Sequence, residues 1–315
     1  MSITHSRLRR LLVTGHGGFV GRAVHAAGRA DPLSSRWSIV TLTDPFDIRS
    51  PDLPSAVTDL RPDAVLHLAG LTSVADSFRD PERYFDVNFH GTWNLLRSLR
   101  ASGFAGRMVF VGSGDCYGAV DAECLPIREA LALRPRNPYA VSKAAAESLC
   151  YQWSQSGTFD IVLARPFNHV GPGQDPRFAI ASFARQLALV RAGRVPPTLV
   201  TGNLDVTRDL TDVRDVVRAY FALLESGVSG TAYNVASGRE TSMKDVLGAL
   251  IALAGVEVEV RTDPARARAD EQRRAVADVG RIQRDTGWVA TIPLASTLAD
   301  VSVDWSERIT TGDHT

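Results

Sequence analysis

An α/β fold is predicted by this sequence: a doubly wound parallel sheet followed by a smaller C-terminal lobe. Three observations predict it. Short apolar runs alternate with stretches of helical periodicity, a glycine-rich turn joins the first run to the first helix, and beyond Arg165 the composition changes, with Gly171-Pro172-Gly173 and Pro196-Pro197 breaking the pattern. Strands buried on both faces read as continuous apolar runs, and strands alternating with helices imply parallel pairing through helical crossovers.

Leu11-Leu12-Val13 is the first strand, and Val20 to Arg29 carries apolar residues at helical spacing. Ser38 to Leu42 and Ala64 to Leu68 read as further strands, Tyr84 to Leu99 as a helix, and Met108 to Val111 as another buried strand. Pro138 suits the first turn of a long helix through Ala140 to Trp153, and Ile161 to Ala164 is one more strand. In the second lobe the clear element is a helix from Phe178 to Ala192. Asp212 to Leu224 reads as a helix and Ala232 to Val235 as a strand, both returning to the main sheet. From Ser242 onward the pattern is mixed helix and strand. The expected division is a dinucleotide-binding domain of residues 1–168 with 206–236, and a second lobe of 169–205 with 237–315.

The 315 residues include 35 Lys and Arg against 35 Asp and Glu, so no global field favours nucleic acid or an anionic membrane. Any anion must be held locally. Only two cations, Lys143 and Lys244, are lysines. Three cysteines (Cys116, Cys124, Cys150) form neither a CxxC pair nor a zinc spacing, so no metal is expected and a reducing cytoplasm is the simplest home. The apolar stretch Leu247 to Val256 is too short to span a membrane, which needs about 20 residues.

Thr14-Gly15-His16-Gly17-Gly18-Phe19-Val20-Gly21 spaces glycines three apart at 15, 18 and 21. Gly15 would allow a tight turn, Gly18 the approach of a pyrophosphate, and Gly21 close packing of helix on strand, with helix N–H groups facing the phosphates. Glycine-rich turns of this kind also occur for packing alone. Asp44 lies 23 positions after Gly21, near the roughly 20 at which a carboxylate takes the adenine ribose hydroxyls and repels the 2′-phosphate of NADP. It reads equally well as a turn aspartate before Pro45. Asp47 and Ile48 could offer an acidic side chain and a backbone amide to the adenine.

Tyr139 and Lys143 stand four apart, on one face at the start of the long helix. An ammonium there is expected to depress the phenol from its usual pKa of about 10. Alone, YxxxK is common by chance, with the lysine merely at the surface. Ser113 changes this reading: it follows a buried strand, 26 residues before Tyr139, where the carboxyl ends of a parallel sheet gather ligands. Its hydroxyl could hold a carbonyl oxygen while Tyr139 protonates it.

With these motifs the chain resembles the extended short-chain dehydrogenases of the NAD-dependent epimerase/dehydratase family, and within them the reductases of GDP-linked 4-keto-6-deoxy sugars. The likeness runs from Leu11 to about Trp305. It is carried also by His67-Leu-Ala-Gly70, Asn88-Phe-His-Gly91-Thr92, Ser113-Gly-Asp115-Cys-Tyr117-Gly118, Arg165-Pro-Phe-Asn168-His169, Gly202-Asn-Leu-Asp205-Val-Thr-Arg208-Asp209 and Asp263-Pro-Ala-Arg266-Ala-Arg268-Ala-Asp-Glu271.

The resemblance implies a Rossmann sheet and an NAD(P)H cofactor touched by Gly15, Gly18, Phe19, Val20, Gly21, Leu68, Ala69, Gly70, Asn88 and Pro166. It makes Tyr139 the proton donor, Lys143 the holder of the nicotinamide ribose, and Ser113 the contact of the sugar's O4. Asn168, Arg185, Arg208, Arg268 and Glu271 would bind the GDP-sugar; fork-shaped guanidinium suits phosphate better than lysine does. Without the motif, Arg208 would read as a surface ion pair with Asp209.

Related dehydratases carry glutamate where this chain has Asp115, to remove a proton at C5. The shorter carboxylate favours plain reduction over dehydration. The resemblance also implies a homodimer and a product that feeds surface polysaccharide. The rival readings are a 4,6-dehydratase or epimerase, and a protein that only senses nicotinamide nucleotides. The YxxxK pair counts against the last. Asp44 gives NADH a slight preference over NADPH.

Overall fold

The computed structural model describes residues 8–27, 34–43, 46–263 and 272–312. In chain order its elements are β1 (Arg9–Thr14), α1 (Phe19–Ala27), β2 (Trp37–Val40), α2 (Leu53–Leu60), β3 (Ala64–His67), α3 (Val74–Arg79), α4 (Pro81–Phe85), α5 (Gly91–Ala101), β4 (Arg107–Val111), α6 (Pro138–Ser154) and β5 (Asp160–Pro166). There follow β6 (Asn168–Val170), α7 (Ala179–Arg191), β7 (Thr198–Thr201), β8 (Thr207–Asp212), α8 (Val213–Ser226), β9 (Ala232–Val235), β10 (Glu240–Ser242), α9 (Met243–Ala254), β11 (Glu259–Thr262), α10 (Gly280–Thr286) and α11 (Leu294–Thr311).

Six strands form one parallel sheet in the order β2-β1-β3-β4-β5-β9. The period of two along each strand sends alternate residues to opposite faces. Leu11, Val13, Leu66, Val109 and Val162 pack with α1, α8 and α10 on one side, while Leu12, Val65, Met108, Phe110 and Ile161 pack with α2, α5 and α6 on the other. On α8, Tyr220, Phe221, Leu223 and Leu224 are all buried. Large apolar side chains removed from water in this way contribute roughly 1.5–3 kcal/mol each. The strand order reverses between β1 and β3, and the crevice at their carboxyl ends is where ligands of such sheets bind.

A second core gathers α7, α9 and α11 around Phe183, Leu187, Leu247, Leu250, Leu298 and Trp305. Beside it β6 and β8 run parallel with β10 antiparallel to β8, and β7 pairs with β11. Helix α10, read from sequence with the second lobe, instead sends Ile282 into the core of the main sheet, joined there by Trp288.

One local difference from the sequence reading bears on the site. The stretch Tyr84 to Leu99 is not one α-helix: between α4 and α5 the chain widens into a single π-helical turn, Asp86–His90, centred on Asn88. Such widened turns occur mostly as single insertions and often at functional sites. The long helix α6 starts as expected, with Pro138 in its first turn and Asn137 Oδ1 accepting from the Ala140 amide at 2.8 Å.

Candidate active site

The glycine turn leaves bare backbone at the mouth of the crevice. Gly15 has φ +71°, and a Cβ there would lie 2.7 Å from the Ala69 nitrogen, so both the turn and the approach of the chain after β3 require glycine. Gly17 and Gly18 are exposed, and the Gly18 amide closes the turn on the Gly15 carbonyl at 3.0 Å. At Gly21 the reason for glycine differs from the one read from sequence. A Cβ would meet the His16 and Gly15 carbonyls at 2.4 and 2.5 Å, so Gly21 makes room for the turn itself rather than for strand packing. Val20 packs on the main core, and the Phe19 ring stacks on His169 with centroids 6.0 Å apart.

The ends of β1 and β3 are tied together by a buried histidine. Thr14 Oγ1 meets His67 Nδ1 at 2.7 Å and accepts from the Ala69 amide, while His67 Nε2 meets Thr92 Oγ1 at 2.9 Å. Burial, and then the nearby Lys143 ammonium, hold His67 down to about 3, so it is neutral. Leu68, Ala69 and Gly70 therefore follow β3 along the crevice on a fixed path.

Further along, Ile48 is buried and its carbonyl accepts from Asn94 Nδ2 at 2.9 Å. Asp47 is engaged with Arg49, whose Nη2 lies 2.6 Å from Oδ2 and whose hydrogen bonds lower the carboxyl pKa. Asp44 lies outside the described residues.

The chemical centre forms where β4 ends. Ser113 is buried, and its Oγ accepts from the Asp115 amide at 3.1 Å, capping the short turn Gly114–Tyr117. Tyr139 and Lys143 are both buried at the start of α6, Tyr139 edge-on to Tyr84. Lys143 Nζ donates to the Val111 carbonyl at 2.6 Å and lies 3.5 Å from where a Cβ on Gly70 would stand, so the missing side chain opens a path along Gly70 to the ammonium. Asn88, at the widened turn, accepts from the Leu71 amide at 2.8 Å and donates to the Leu71 carbonyl and to Ser142 Oγ. It locks the chain after Gly70 to α6.

One expectation is corrected. Tyr139 is not depressed by Lys143. Burial, and then the Asp115 carboxylate, raise its pKa well above the ordinary value against a hydrogen bond with Ser113. The reason is geometric: the lysine stem carries its ammonium across to the end of β4, and burial lowers that ammonium to about 8. Tyr139 is thus a protonated phenol at neutral pH, the state a proton donor needs.

On the facing side, Asn168 opens β6 and is exposed; Pro166 ends β5. Arg208 Nη1 donates to the carbonyls of Thr207 and Gln272 at 2.7 and 2.8 Å. Its neighbour Asp209 is buried, accepting from the amides of Ser237, Gly238 and Ala277, a role the sequence did not suggest. On α7 the Arg185 Nε is buried and has no hydrogen-bond partner among the described residues. Arg268 and Glu271 lie outside them.

Two arrangements were missed in the sequence. Arg22, one residue past Gly21, donates to Gly17 O at 2.7 Å and to Gly173 O at 2.8 Å, joining the glycine turn to the loop after β6. Glu147 and Arg165 form a buried pair behind Lys143. Among the described residues no group of three His, Cys, Asp or Glu side chains could hold a metal ion, and no helix is long and apolar enough to cross a membrane.

Residues 11–236 match the model of the NAD dependent epimerase/dehydratase family. A relative described as GDP-6-deoxy-D-mannose reductase, from Pseudomonas aeruginosa, is 44% identical over 96% of this chain and 98% of its own length. A UDP-glucose 4-epimerase from Mycolicibacterium smegmatis is 31% identical over 92% of this chain and 91% of its own. Among solved structures, that of RMD from Pseudomonas aeruginosa complexed with NADPH superposes with a TM-score of 0.88 at 43% identity, covering 95% of this chain and 99% of that one.

Proposed function

Since this chain belongs to the NAD dependent epimerase/dehydratase family, we propose that it reduces the C4 ketone of a GDP-4-keto-6-deoxy sugar, hexose or heptose, to a GDP-6-deoxy sugar. The observation that carries this reading is the 44% identity, over almost the whole of both chains, to the relative described as GDP-6-deoxy-D-mannose reductase. The epimerase relative from Mycolicibacterium smegmatis is more distant in sequence, at 31% identity. A bound reduced nicotinamide supplies the hydride.

The residues of this chain do the rest. The bare turn at Gly15, Gly17 and Gly18, with the start of α1, cradles the cofactor's diphosphate, and Phe19, Val20, Leu68, Ala69, Gly70 and Pro166 line its path. Ile48 and Asp47 stand toward the adenine. Lys143 holds the nicotinamide ribose beside Gly70, and Asn88 supports that network. Ser113 fixes the sugar's O4 while Tyr139 passes it a proton. Asn168, Arg185 and Arg208, with Arg268 and Glu271, grip the GDP. The unpartnered Nε of Arg185 supports this reading, because a buried guanidinium donor left without an acceptor is costly. The reading keeps a cofactor domain (1–168 and 206–236) and a sugar lobe (169–205 and 237–315), although Ile282 and Trp288 of the latter pack on the main sheet, in a cytoplasmic enzyme feeding surface polysaccharide.

Incubation with each GDP-4-keto-6-deoxy sugar and NADH or NADPH, with products identified by mass and NMR, tests this. A GDP-6-deoxy sugar is the expected product, and recovery of the unreduced ketone from every combination would remove the proposal. A carboxylate near a 2′-phosphate costs binding energy, so Asp44 leads us to expect kcat/KM with NADH at least equal to that with NADPH. A preference for NADPH of tenfold or more would turn Asp44 away from the ribose.

The faces of α5 and α6 support a homodimer. Trp93 on α5 and Tyr151 on α6 are 45% and 51% exposed, and Val141 on α6 is exposed as well. Exposed apolar side chains of this size on adjacent helices suit an isologous contact. Light scattering should give about twice the chain mass of 34.1 kDa; a monomer mass at micromolar concentration would contradict it.

A further inference from the structure

Glu147 lies one helical turn beyond Lys143 on α6, and it is 4% exposed. Arg165, on β5 and 7% exposed, holds its carboxylate with Nη2 at 2.6 Å and Nε at 3.1 Å. Arg165 is itself fixed: Nη1 donates to Tyr117 Oη at 2.8 Å, and Tyr117 in turn donates to Asn234 Oδ1 at 2.7 Å. The pair touches the chemical centre from behind. A Cβ on Gly112, between the carbonyl that Lys143 binds and Ser113, would lie 3.1 Å from Glu147 Oε2.

Among the described residues whose charge acts on Lys143, Glu147 is the one carboxylate; Asp115 acts on Tyr139 instead. From the turn after β4 comes Cys116, pushed up by burial to about 12, and from α6 comes Cys150, raised well above the usual thiol range by burial. Both are neutral thiols near pH 8. From β3 comes His67, neutral as described. Tyr139, on α6 itself, is a neutral phenol. Glu147, one turn along α6 from Lys143, remains as the carboxylate; burial opposes the protonated lysine and the charge of Glu147 supports it.

We infer that Glu147, clamped by Arg165 and Tyr117, is a positioning residue that supplies the balancing charge for the Lys143 ammonium. It touches neither cofactor nor sugar and acts through the lysine. The inference rests on the proposed reductase reading for its importance in turnover, but not for its test.

Because the chain has only two lysines, protein grown with 13Cε-lysine gives two signals, from Lys143 and Lys244, and the titration of Lys143 can be followed directly. Lys244→Arg assigns them. In Glu147→Gln the Lys143 midpoint should fall by about one pH unit, the scale on which a nearby opposite charge acts. The double variant Glu147→Gln/Arg165→Met, which leaves no unbalanced guanidinium in the core, should show a fall of the same sign, with the Lys244 signal unmoved in both. The alkaline limb of kcat should shift down with the Lys143 midpoint, while KM for the sugar stays near that of the wild type.

An unchanged Lys143 midpoint in either folded variant would overturn the inference. Loss of the folded state in both would assign the pair to folding alone and overturn it equally. A wild-type protein whose lysine titrates as described but which reduces no GDP-linked ketone would sink the reductase reading and leave this one standing.

Discussion

Replacing Tyr139 by phenylalanine should lower kcat by at least about 10²-fold, the loss typical of removing a general acid, with cofactor affinity nearly unchanged. The buried ring stays, so packing against Tyr84 is kept and only the hydroxyl beside Ser113 is lost. Because burial and Asp115 keep this phenol protonated, it stands ready as an acid for O4. Steady-state rates with saturating ketone, together with cofactor binding followed by fluorescence, separate the two effects. A Phe variant with near wild-type turnover would remove Tyr139 from the chemistry.

Lys143→Ala should lower both kcat and cofactor affinity, because the ammonium beside Gly70 is assigned to the nicotinamide ribose and so to the placing of the hydride donor. Buried to the point that its pKa falls to about 8, this lysine is charged below that pH and neutral above it. The affinity of the wild type for the cofactor should therefore be full below about pH 8 and decline as pH rises through it, and the Ala variant should lose that dependence. Binding titrations from pH 6 to pH 10 measure it. If only kcat falls in the variant, the ribose contact is wrong; if only affinity falls, the lysine does not place the hydride donor.

How far the sequence carried these conclusions follows from the kind of signal each part leaves. The strands β1, β3, β4 and β5 were legible because an inner parallel strand must be apolar on both faces, and Leu11-Leu12-Val13 and Ala64 to Leu66 are. Strands such as β6, β7 and β8 were not. Asn168–Val170 and Thr207–Asp212 mix polar and apolar residues and exist through pairing with each other, which no local pattern encodes.

Ser113, Tyr139 and Lys143 were found by spacing because two of them share one helix face and the third ends a neighbouring strand. The protonation of Tyr139 was misjudged, since spacing places a lysine on the right face without saying where its four-carbon stem carries the charge. The widened turn at Asn88 left no periodic trace either: it is accompanied by side-chain bonds to Leu71 and Ser142, a tertiary event. Arg22 and Glu147 leave no local signal, because their partners, Gly173 and Arg165, stand 151 and 18 positions away.

On the reading proposed above, this chain reduces a GDP-linked 4-ketone and does not create it. Dehydration requires a base at C5 and an acid for the departing C6 hydroxyl, aligned to within about an ångström, and an aspartate at position 115 is one methylene shorter than the glutamate that does this in related dehydratases. The direct measurement gives wild-type protein GDP-4-keto-6-deoxy-mannose with reduced cofactor in one vessel and GDP-mannose with oxidised cofactor in another, and follows both by NMR. Steady reduction in the first, with GDP-mannose unaltered in the second over a long incubation, is the predicted result. Formation of 4-keto-6-deoxy product from GDP-mannose at a rate rivalling reduction would contradict it.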